Sequence, residues 1–178
     1  MNPFNKTLVL FFAVLALFAS IPLQSAEADL LREIKDREEI DQLLWRYTRA
    51  LDSFDPDAYV ATYTEDGSFG AVKGHEALHA MMVDFRNGRE LQAAEGNPPA
   101  PMFHATENSW TEFVTPDHVR HHAYWVTYFG ANGSDSPARI VAVGRSVDNI
   151  VRVNDQWLIR SRNVTPAENE WILNCVMV

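Results

Sequence analysis

The sequence predicts an α+β fold in which helices come first and a curved antiparallel sheet follows. In the first half of the chain, apolar residues recur at spacings of three, four and seven, as they do along one face of a helix. From Met102 onward, long β segments alternate with short turns, which is the pattern of an antiparallel meander. Helices that precede such a sheet pack on one of its faces.

Residues 1–28 are expected to be a signal peptide. Lys6 gives a positive start, Leu8–Phe18 is an unbroken apolar run, and Ala26-Glu27-Ala28 has the small-x-small pattern of a cleavage site. An uncleaved membrane anchor would need about 20 apolar residues. We therefore expect cleavage near Ala28, a periplasmic or secreted protein, and no membrane association of the mature chain.

Composition limits what the mature chain can be. Hydrophobic residues make up 47% of the sequence, which suits one domain with a packed core at this length. Removing residues 1–28 takes away one Lys and one Glu, so the net charge stays at −9. Such a surface repels phosphate backbones, which argues against a nucleic-acid partner. Cys175 is the only cysteine, so no disulfide can form within the chain.

Three helices are predicted before the sheet. The first runs from Asp29 to Leu51, the second from Asp55 to about Tyr63, and the third from His75 to about Arg86. Asp55 is the expected N-cap of the second helix and Pro56 its first residue, which leaves Asp52 without a local role. The apolar face of the first helix carries Ile40, Leu43, Leu44, Tyr47 and Leu51.

The remaining elements are strands and connections. Glu65-Asp66-Gly67 is interpreted as a turn, Ser68–Val72 as a short strand, and the Gly- and Pro-rich stretch Asn87–Pro101 as a long loop. Residues 166–178 form a tail whose apolar end must be covered by the domain or by a neighbouring subunit. The folded domain is therefore placed at residues 29–165, in a homo-oligomer, dimer or trimer. The four long strands are predicted at Met102–Val114, Val119–Phe129, Arg139–Val153 and Gln156–Val164.

Several segments carry a resemblance to a known family: YTRALDSFDPDAYVATYTEDGSF, KGHEALHAMM, HATENSWTEFVTPDHV and GRSVDNIVRVNDQWLIRSRNV. From about Ile34 to Val164, the chain resembles the SnoaL-like family of the nuclear-transport-factor-2-like superfamily. The resemblance implies a cone-like fold, in which the curved antiparallel sheet wraps around three N-terminal helices and leaves a deep, mostly apolar pocket. Because one fold hosts many activities, individual residues must carry the functional argument.

Within this superfamily the chain is similar to the scytalone dehydratases, the hexachlorocyclohexane dehydrochlorinases and the bile-acid 7α-dehydratases. The resemblance implies a catalytic aspartate–histidine pair at Asp52 and His104, with Tyr47 and Arg162 as further catalytic residues. In such a pair the carboxylate selects the tautomer of the imidazole, whose other ring nitrogen acts as a general base. The expected substrate-binding residues are Phe69, Asn108, Trp125 and Tyr128.

Structural roles are open for the same residues. A structural role for the Asp52 carboxylate is as compatible with the sequence as a functional one. His104 and Tyr47 are likewise compatible with core residues whose polar atoms are satisfied by the backbone. The Trp125 and Tyr128 side chains are expected in the pocket wall or the core. A functional assignment therefore requires that the structure bring these side chains together around a pocket.

Arg162 is expected to face the side of its strand opposite to Trp157 and Ile159, because it lies an odd number of positions from both. On that side it would meet an anionic leaving group or an enolate. The alternative is an ion pair with Asp148 or Glu107.

The segment His75-Glu76-Ala77-Leu78-His79 matches the H-E-x-x-H pattern of zinc proteases. The family has its own G-x-E-A-L helix start at this place, which accounts for the same residues. His121 and His122 are adjacent on a predicted strand and point to opposite faces, so they do not form a joint metal site. We therefore expect no metal and no other cofactor.

These patterns lead to the hypothesis of an exported, cofactor-independent lyase, of the dehydratase or dehydrohalogenase type, that acts on a small hydrophobic ring or steroid-like molecule. A ketosteroid-type isomerase that uses the same base is a close variant. A non-catalytic binding or assembly domain of the same fold is the alternative from another class. An accessible pocket lined by a paired Asp52 and His104 favours the enzyme, whereas a pocket filled by side chains favours the binding domain.

Overall fold

The computed structural model describes residues 3–133 and 136–166, with side chains from residue 26 onward within those ranges. The α+β class is confirmed, because helices precede most of the sheet. The C-terminal tail, predicted at residues 166–178, lies outside the described residues except for Pro166. The elements in chain order are α1 (Pro3–Ser53), α2 (Pro56–Val60), β1 (Tyr63–Phe69), β2 (Val72–Lys73), α3 (His75–Ala94), β3 (Met102–Thr115), β4 (His118–Phe129), β5 (Arg139–Val153) and β6 (Gln156–Asn163).

The chain divides into two compact units, residues 1–40 and residues 41–178. The described part of the first unit is the beginning of α1, which overlaps the expected signal peptide. Its exposed side chains pair one turn apart, as in the 2.8 Å contact between Arg37 Nη2 and Glu33 Oε1. Pairs at this spacing stabilise a helix by roughly 0.2–0.5 kcal/mol each. Among the described residues, no helix combines the length and the apolar composition needed to span a bilayer.

The sheet has six strands in the order β2-β1-β6-β5-β4-β3. It is curved and does not close into a barrel. Neighbouring strands are antiparallel, as predicted, with one exception: β1 and β6 run parallel, with Phe69 beside Arg162. The exception arises because β1 precedes the meander β3–β6 and pairs with its last strand, which runs in the same direction. The long strands differ from their predicted bounds by at most one residue at either end.

The segment interpreted as a turn, Glu65-Asp66-Gly67, lies inside β1 instead. The pairing of β1 with β6 is irregular here, since its register shifts between Tyr63 and Ser68. Gly67 allows this irregularity, because a Cβ at this position would lie 2.8 Å from the Thr64 carbonyl oxygen and 3.0 Å from that of Ile159. Contacts that short between a side chain and backbone exclude any larger residue.

Helix α3 extends to Ala94, well beyond the predicted end near Arg86. Gly88 costs a helix interior roughly 0.5–1 kcal/mol relative to alanine, but the helix-forming residues that follow it offset this cost. The predicted long loop is correspondingly shorter and begins after the C-cap, Glu95. Arg89 ties this loop to the helix, since its Nη2 donates to the Ala100 carbonyl oxygen at 2.8 Å.

The core of the second unit is built jointly by the helices and the sheet. Its apolar side chains come from α1, α3 and the strands β4, β5 and β6, and they meet in one hydrophobic interior. The buried apolar residues include Leu43, Ala50, Leu78, Met82, Val119, Ala123, Ile150 and Ile159.

Candidate active site

A pocket of ≈ 210 Å³ lies between the last turns of α1 and the sheet. A cavity of about 150 Å³ is already large enough to hold benzene, so the pocket has room for a small ring compound. Most of its wall is apolar, with a few polar groups, which is the usual character of a small-molecule site. The lining residues are Tyr47, Thr48, Leu51, Phe69, His104, Ala105, Thr106, Trp125, Thr127, Ala142, Arg162 and Val164.

Asp52 and His104 are in direct contact at this pocket. Asp52 Oδ1 lies 2.7 Å from His104 Nδ1, and Asp52 Oδ2 accepts a hydrogen bond from the His104 backbone N–H at 3.3 Å. Both side chains are largely buried, with 11% of Asp52 and 22% of His104 exposed. Because a carboxylate can only accept, Nδ1 carries the proton and Nε2 of the neutral ring is left with its lone pair.

The end of α1 places Asp52 in this position. The helix ends at Ser53, and Phe54 follows with a left-handed φ of 55°, which turns the chain away from the helix axis. Asp55 caps α2, accepting a hydrogen bond from the Ala58 N–H at 3.0 Å, so its predicted capping role is confirmed. Asp52 is therefore not needed for the cap, and its carboxylate reaches across to β3.

Tyr47 belongs to a cluster of three buried tyrosines, with Tyr59 of α2 and Tyr63 of β1. The centres of neighbouring rings are 5.3–6.1 Å apart, and the hydroxyls of Tyr59 and Tyr63 are 3.1 Å apart. Burial raises the pKa of Tyr47, although Arg162 and the neighbouring hydroxyls act in the opposite direction. Tyr47 therefore stays protonated, as a hydrogen-bond donor, well into the alkaline range.

The predicted orientation of Arg162 is wrong. Arg162 lies on the same buried face of β6 as Trp157 and Ile159, because Arg160 is an extra residue in the strand. Ile159 pairs with Ile150, but Ser161 pairs with Asn149, the residue directly before Ile150. The side-chain alternation of β6 therefore shifts by one position. This β-bulge brings Arg162 to the pocket.

Arg162 contacts two partners on this face. It donates a hydrogen bond from Nη1 to Oδ2 of Asp148, which is completely buried, and its guanidinium carbon lies 4.5 Å from the centre of the Tyr47 ring. Burial has the largest single effect on the pKa of Arg162 and lowers it, but the Asp148 carboxylate and the three neighbouring tyrosines together raise that pKa above its ordinary value. Of the two ion-pair partners considered from the sequence, the structure shows Asp148.

Asp148 also faces His121, its neighbour on β4. His121 Nδ1 lies 3.7 Å from Asp148 Oδ2, which is too long for a hydrogen bond. His122 points to the other face of the sheet, as predicted, where its ring packs 5.2 Å from that of Trp110. The two adjacent histidines thus have separate surroundings.

Of the four expected substrate-binding residues, two line the pocket and two do not. Phe69 and Trp125 are part of the wall. Asn108 is exposed and has a left-handed φ of 45°, because it lies in an irregular stretch of β3 between Glu107 and Trp110. Tyr128 follows the lining residue Thr127 directly and so points to the opposite face of its strand.

Sequence reasoning missed the residue that positions Trp125. The indole packs over Gly144 of β5, where a Cβ would lie 2.6 Å from Trp125 Cε2. Trp125 Nε1 also donates to the Arg145 carbonyl oxygen at 3.0 Å. A glycine inside a long predicted strand is a signal of such close approach, and this signal was present in the sequence.

The two histidines of the H-E-x-x-H segment have separate hydrogen-bond partners. His75 Nε2 donates to the Tyr63 carbonyl oxygen at 3.1 Å, and His79 Nε2 lies 3.2 Å from Asp57 Oδ1. Among the described residues, no group of three or more His, Cys, Asp or Glu side chains is arranged to hold a metal ion.

The chain matches a known protein family and is similar in fold to several solved structures. A family model described as the SnoaL-like domain matches residues 32–163. No curated protein matches the chain. A solved nuclear-transport-factor-2-like protein with a cystatin-like fold, from Novosphingobium aromaticivorans, is similar at 24% identity and a TM-score of 0.63, over 79% of this chain and 88% of that chain.

Two further solved structures share the fold. One is a protein of unknown function from Mycobacterium tuberculosis, at 19% identity and a TM-score of 0.60, over 74% of this chain and 72% of that chain. The other, from Novosphingobium aromaticivorans, is provisionally assigned as a scytalone dehydratase; it is 17% identical with a TM-score of 0.55, over 74% of this chain and 84% of that chain. At these identities the similarity concerns the fold.

Proposed function

This chain belongs to the SnoaL-like family, and we propose that it is a cofactor-independent lyase, of the dehydratase or dehydrohalogenase type, acting on a small hydrophobic ring compound. The observation that carries the proposal is the 2.7 Å contact between Asp52 and His104 at the wall of a pocket. The cavity volume of ≈ 210 Å³ favours a single small ring system over a steroid-like molecule. The provisional assignment of one structural neighbour as a scytalone dehydratase agrees with this reaction class.

In the proposed reaction, His104 Nε2 removes a proton from the carbon next to the one that bears the leaving group. The electron pair of that C–H bond forms the new C=C bond, and the bond to the hydroxyl or halogen breaks with its own electron pair. A halide leaves as an anion, and the proton on His104 is then released to solvent. A departing hydroxyl instead takes up the proton that His104 has gained and leaves as water, so the neutral base is restored in both cases.

Asp52 supports this step in two ways. Its contact with Nδ1 holds the ring in the tautomer whose Nε2 accepts a proton, and its negative charge stabilises the imidazolium that forms. Its second contact, with the His104 backbone N–H, fixes the carboxylate relative to the strand that carries the base. A base held in this way contributes typically about 100- to 10,000-fold to a rate.

Tyr47 and Arg162 are assigned to the negative charge that develops in the transition state. Both line the pocket, and burial keeps the Tyr47 hydroxyl protonated so that it can donate to a carbonyl or to a departing hydroxyl. The remaining N–H donors of Arg162 act on the same charge. Donors fixed by packing need no reorganisation during the reaction, which is why such preorganised groups are effective.

An isomerase that works by the ketosteroid-isomerase mechanism, but on a small unsaturated cyclic ketone, is the second candidate, favoured by the tyrosine cluster. Tyr47 packs against Tyr59, whose hydroxyl lies 3.1 Å from that of Tyr63, and such a cluster of hydroxyl-bearing rings suits the stabilisation of an enolate. The Asp52–His104 pair would then move a proton between two carbons. The two candidates differ in their products, because an isomerase releases neither water nor halide.

The test is a product assay with cyclic alcohols, cyclic halides and unsaturated cyclic ketones, followed by NMR. Wild-type protein is compared with His104→Ala and with His79→Ala, a control that removes an exposed histidine outside the pocket. We expect loss of turnover in His104→Ala and wild-type turnover in His79→Ala. Turnover by His104→Ala within a few-fold of wild type would reject His104 as the base, and absence of turnover by wild type would favour the non-catalytic binding domain.

Export and self-association also belong to the proposal. The apolar run and cleavage pattern in residues 1–28 support export.

Self-association is supported by large apolar side chains on the sheet, such as Val143 and Ile140, which are 66% and 61% exposed. Val143 pairs with Val126, next to the lining residues Trp125 and Thr127, so both valines point away from the pocket. A second copy of the chain would remove this apolar surface from water.

A further inference from the structure

We infer that Asp148 determines the ligand selectivity of the pocket: by neutralising Arg162, it makes the pocket select uncharged ring compounds over carboxylates and other anions of the same size. The inference rests on the proposed function in one respect, that the same pocket receives the ligand. It concerns binding and not the chemical step, so the two can fail separately.

The geometry of Asp148 supports a role toward Arg162. Asp148 is completely buried on β5, directly beside Arg162 on β6, and its Oδ2 accepts a hydrogen bond from Arg162 Nη1. Asp148 itself does not line the pocket, whereas Arg162 does. A ligand therefore meets the guanidinium with a fixed carboxylate already bound behind it.

The charges around the pocket lead to the same conclusion. Among the described lining residues, His104 and Arg162 are the basic ones and none is acidic. Each of the two is bound to a carboxylate outside the lining, Asp52 and Asp148 respectively. With a neutral imidazole these four groups sum to a charge of −1, and with a protonated imidazole to zero.

An anion that enters this pocket loses its hydration without gaining a counter-charge of its own, because both basic side chains are already bound to carboxylates. Desolvation of an ionised carboxylate is costly unless a counter-charge is free to pair with it. Uncharged molecules do not incur this cost and can still accept hydrogen bonds from Arg162 or Tyr47. The same property favours release of the halide that a dehydrohalogenase forms.

The neutralisation comes from one residue, so the selectivity can be reversed by one substitution. Asp148→Asn keeps the shape of the side chain but removes its charge, and the guanidinium then becomes the counter-charge for a ligand carboxylate. Removing both charges, in Asp148→Asn combined with Arg162→Gln, takes the counter-charge away again. Among wild type, Asp148→Asn and the double variant, only Asp148→Asn is thus expected to prefer anions.

The experiment measures the dissociation constants of benzamide and benzoate at pH 8 by ligand-observed NMR or calorimetry. These two ligands have nearly the same shape and differ in charge. We expect wild type to bind benzamide at least about tenfold more tightly than benzoate, and Asp148→Asn to gain more for benzoate than this wild-type ratio, with little change for benzamide, so that the preference is reversed. Asp57→Asn, which removes an exposed carboxylate, is the matched control and is expected to behave as wild type.

The wild-type measurement alone can overturn the inference, which matters if Asp148→Asn does not fold. Tighter binding of benzoate than of benzamide to wild type refutes it, and so does a gain for benzoate that is equal in Asp148→Asn and in the double variant. Absence of binding by both ligands to wild type also refutes it. A pocket with the expected selectivity but without turnover would reject the lyase proposal and leave the role of Asp148 in place.

Discussion

Asp52 holds His104 at two points, the ring nitrogen Nδ1 at 2.7 Å and the backbone nitrogen at 3.3 Å, although the two residues are 52 positions apart in the chain. A carboxylate that served only the fold would not need to select one tautomer of an imidazole at a pocket wall. The double attachment makes the orientation of the ring depend on the charge and acceptor capacity of Asp52. Substitutions at this residue therefore separate a positioning role from a packing role.

Asp52→Asn is expected to lower turnover at least about 100-fold without loss of the fold. The amide can donate to Nδ1 and select the wrong tautomer, which places the proton on Nε2. Combined with His104→Ala, it should cost little more than either substitution alone, because the pair acts as a unit. Steady-state kinetics on the three variants, with circular dichroism as the folding control, provide the check. Full additivity of the two losses would show that Asp52 does not act through His104.

The tyrosine cluster is expected to make the protein sensitive to alkali. Burial raises the pKa of Tyr47, Tyr59 and Tyr63 in the folded state above the ordinary value of about 10. Above that pH the unfolded chain releases protons that the folded protein retains, so the free energy of unfolding falls as the pH rises. Denaturant titrations at pH 8 and pH 11 should show the loss.

Tyr59→Phe should make this alkaline loss smaller, since one buried hydroxyl no longer titrates on unfolding. Tyr124→Phe is the matched control, because it removes the hydroxyl of a tyrosine that is 45% exposed. Equal alkaline losses in wild type and Tyr59→Phe would contradict the proposed origin of the effect.

Gly144→Ala is expected to destabilise the protein by about 1–3 kcal/mol, the usual cost of forcing an extra methyl group into a packed site. The new Cβ would lie 2.6 Å from Trp125 Cε2, so the indole must move, and with it one wall of the pocket. The measurement is the free energy of unfolding together with the dissociation constant of benzamide. Gly88→Ala is the control: it adds the same methyl group in open space on α3 and should stabilise by roughly 0.5–1 kcal/mol. Similar effects of the two substitutions would rule out the packing argument.

Self-association is tested on the face of the sheet that points away from the pocket. Wild type is expected to be a dimer or trimer in light scattering at micromolar concentration, and Val143→Glu to shift it toward the monomer, because a charge at an apolar interface must be desolvated. Ala80→Glu adds the same charge on an exposed position of α3 and should leave the mass unchanged. A monomeric wild type would count against the proposed homo-oligomer.

Export predicts a specific N-terminus. Protein recovered from the periplasm or the medium should begin within a few residues of Asp29, as determined by intact mass. Material from these compartments that still begins at Met1 would contradict cleavage.

The sequence predicted the regular elements well and the irregular ones poorly. Strands such as Arg139–Val153 were placed correctly because a long alternating pattern between turn residues has few alternative interpretations. The bulge at Arg160 has no comparable signal, since a single extra residue reverses side-chain facing without changing composition. The position of Arg162 was therefore predicted on the wrong face.

The pairing of strands and side chains that are far apart in the chain was also not predicted from local sequence patterns. Nothing local in β1 indicates that it pairs in parallel with the last strand, because strand order depends on the whole chain. Asp52 and His104 were brought into one site through family resemblance, since neither the helix pattern nor the strand pattern places the two side chains together. Asn108 was misassigned for a related reason: its left-handed backbone in β3 changes the facing of the strand.

The parallel pairing of β1 with β6 has a consequence for folding. Phe69 and Arg162 form adjoining parts of the pocket wall and come from β1 and β6, the first and last strands in chain order, so they become neighbours only after nearly the entire domain has been synthesised. Contacts of such high sequence separation form slowly, because the entropy of closing a long loop must be overcome first. A nascent chain that ends before Gln156 lacks Arg162 and therefore a complete binding site, so we expect the pocket to form late in folding.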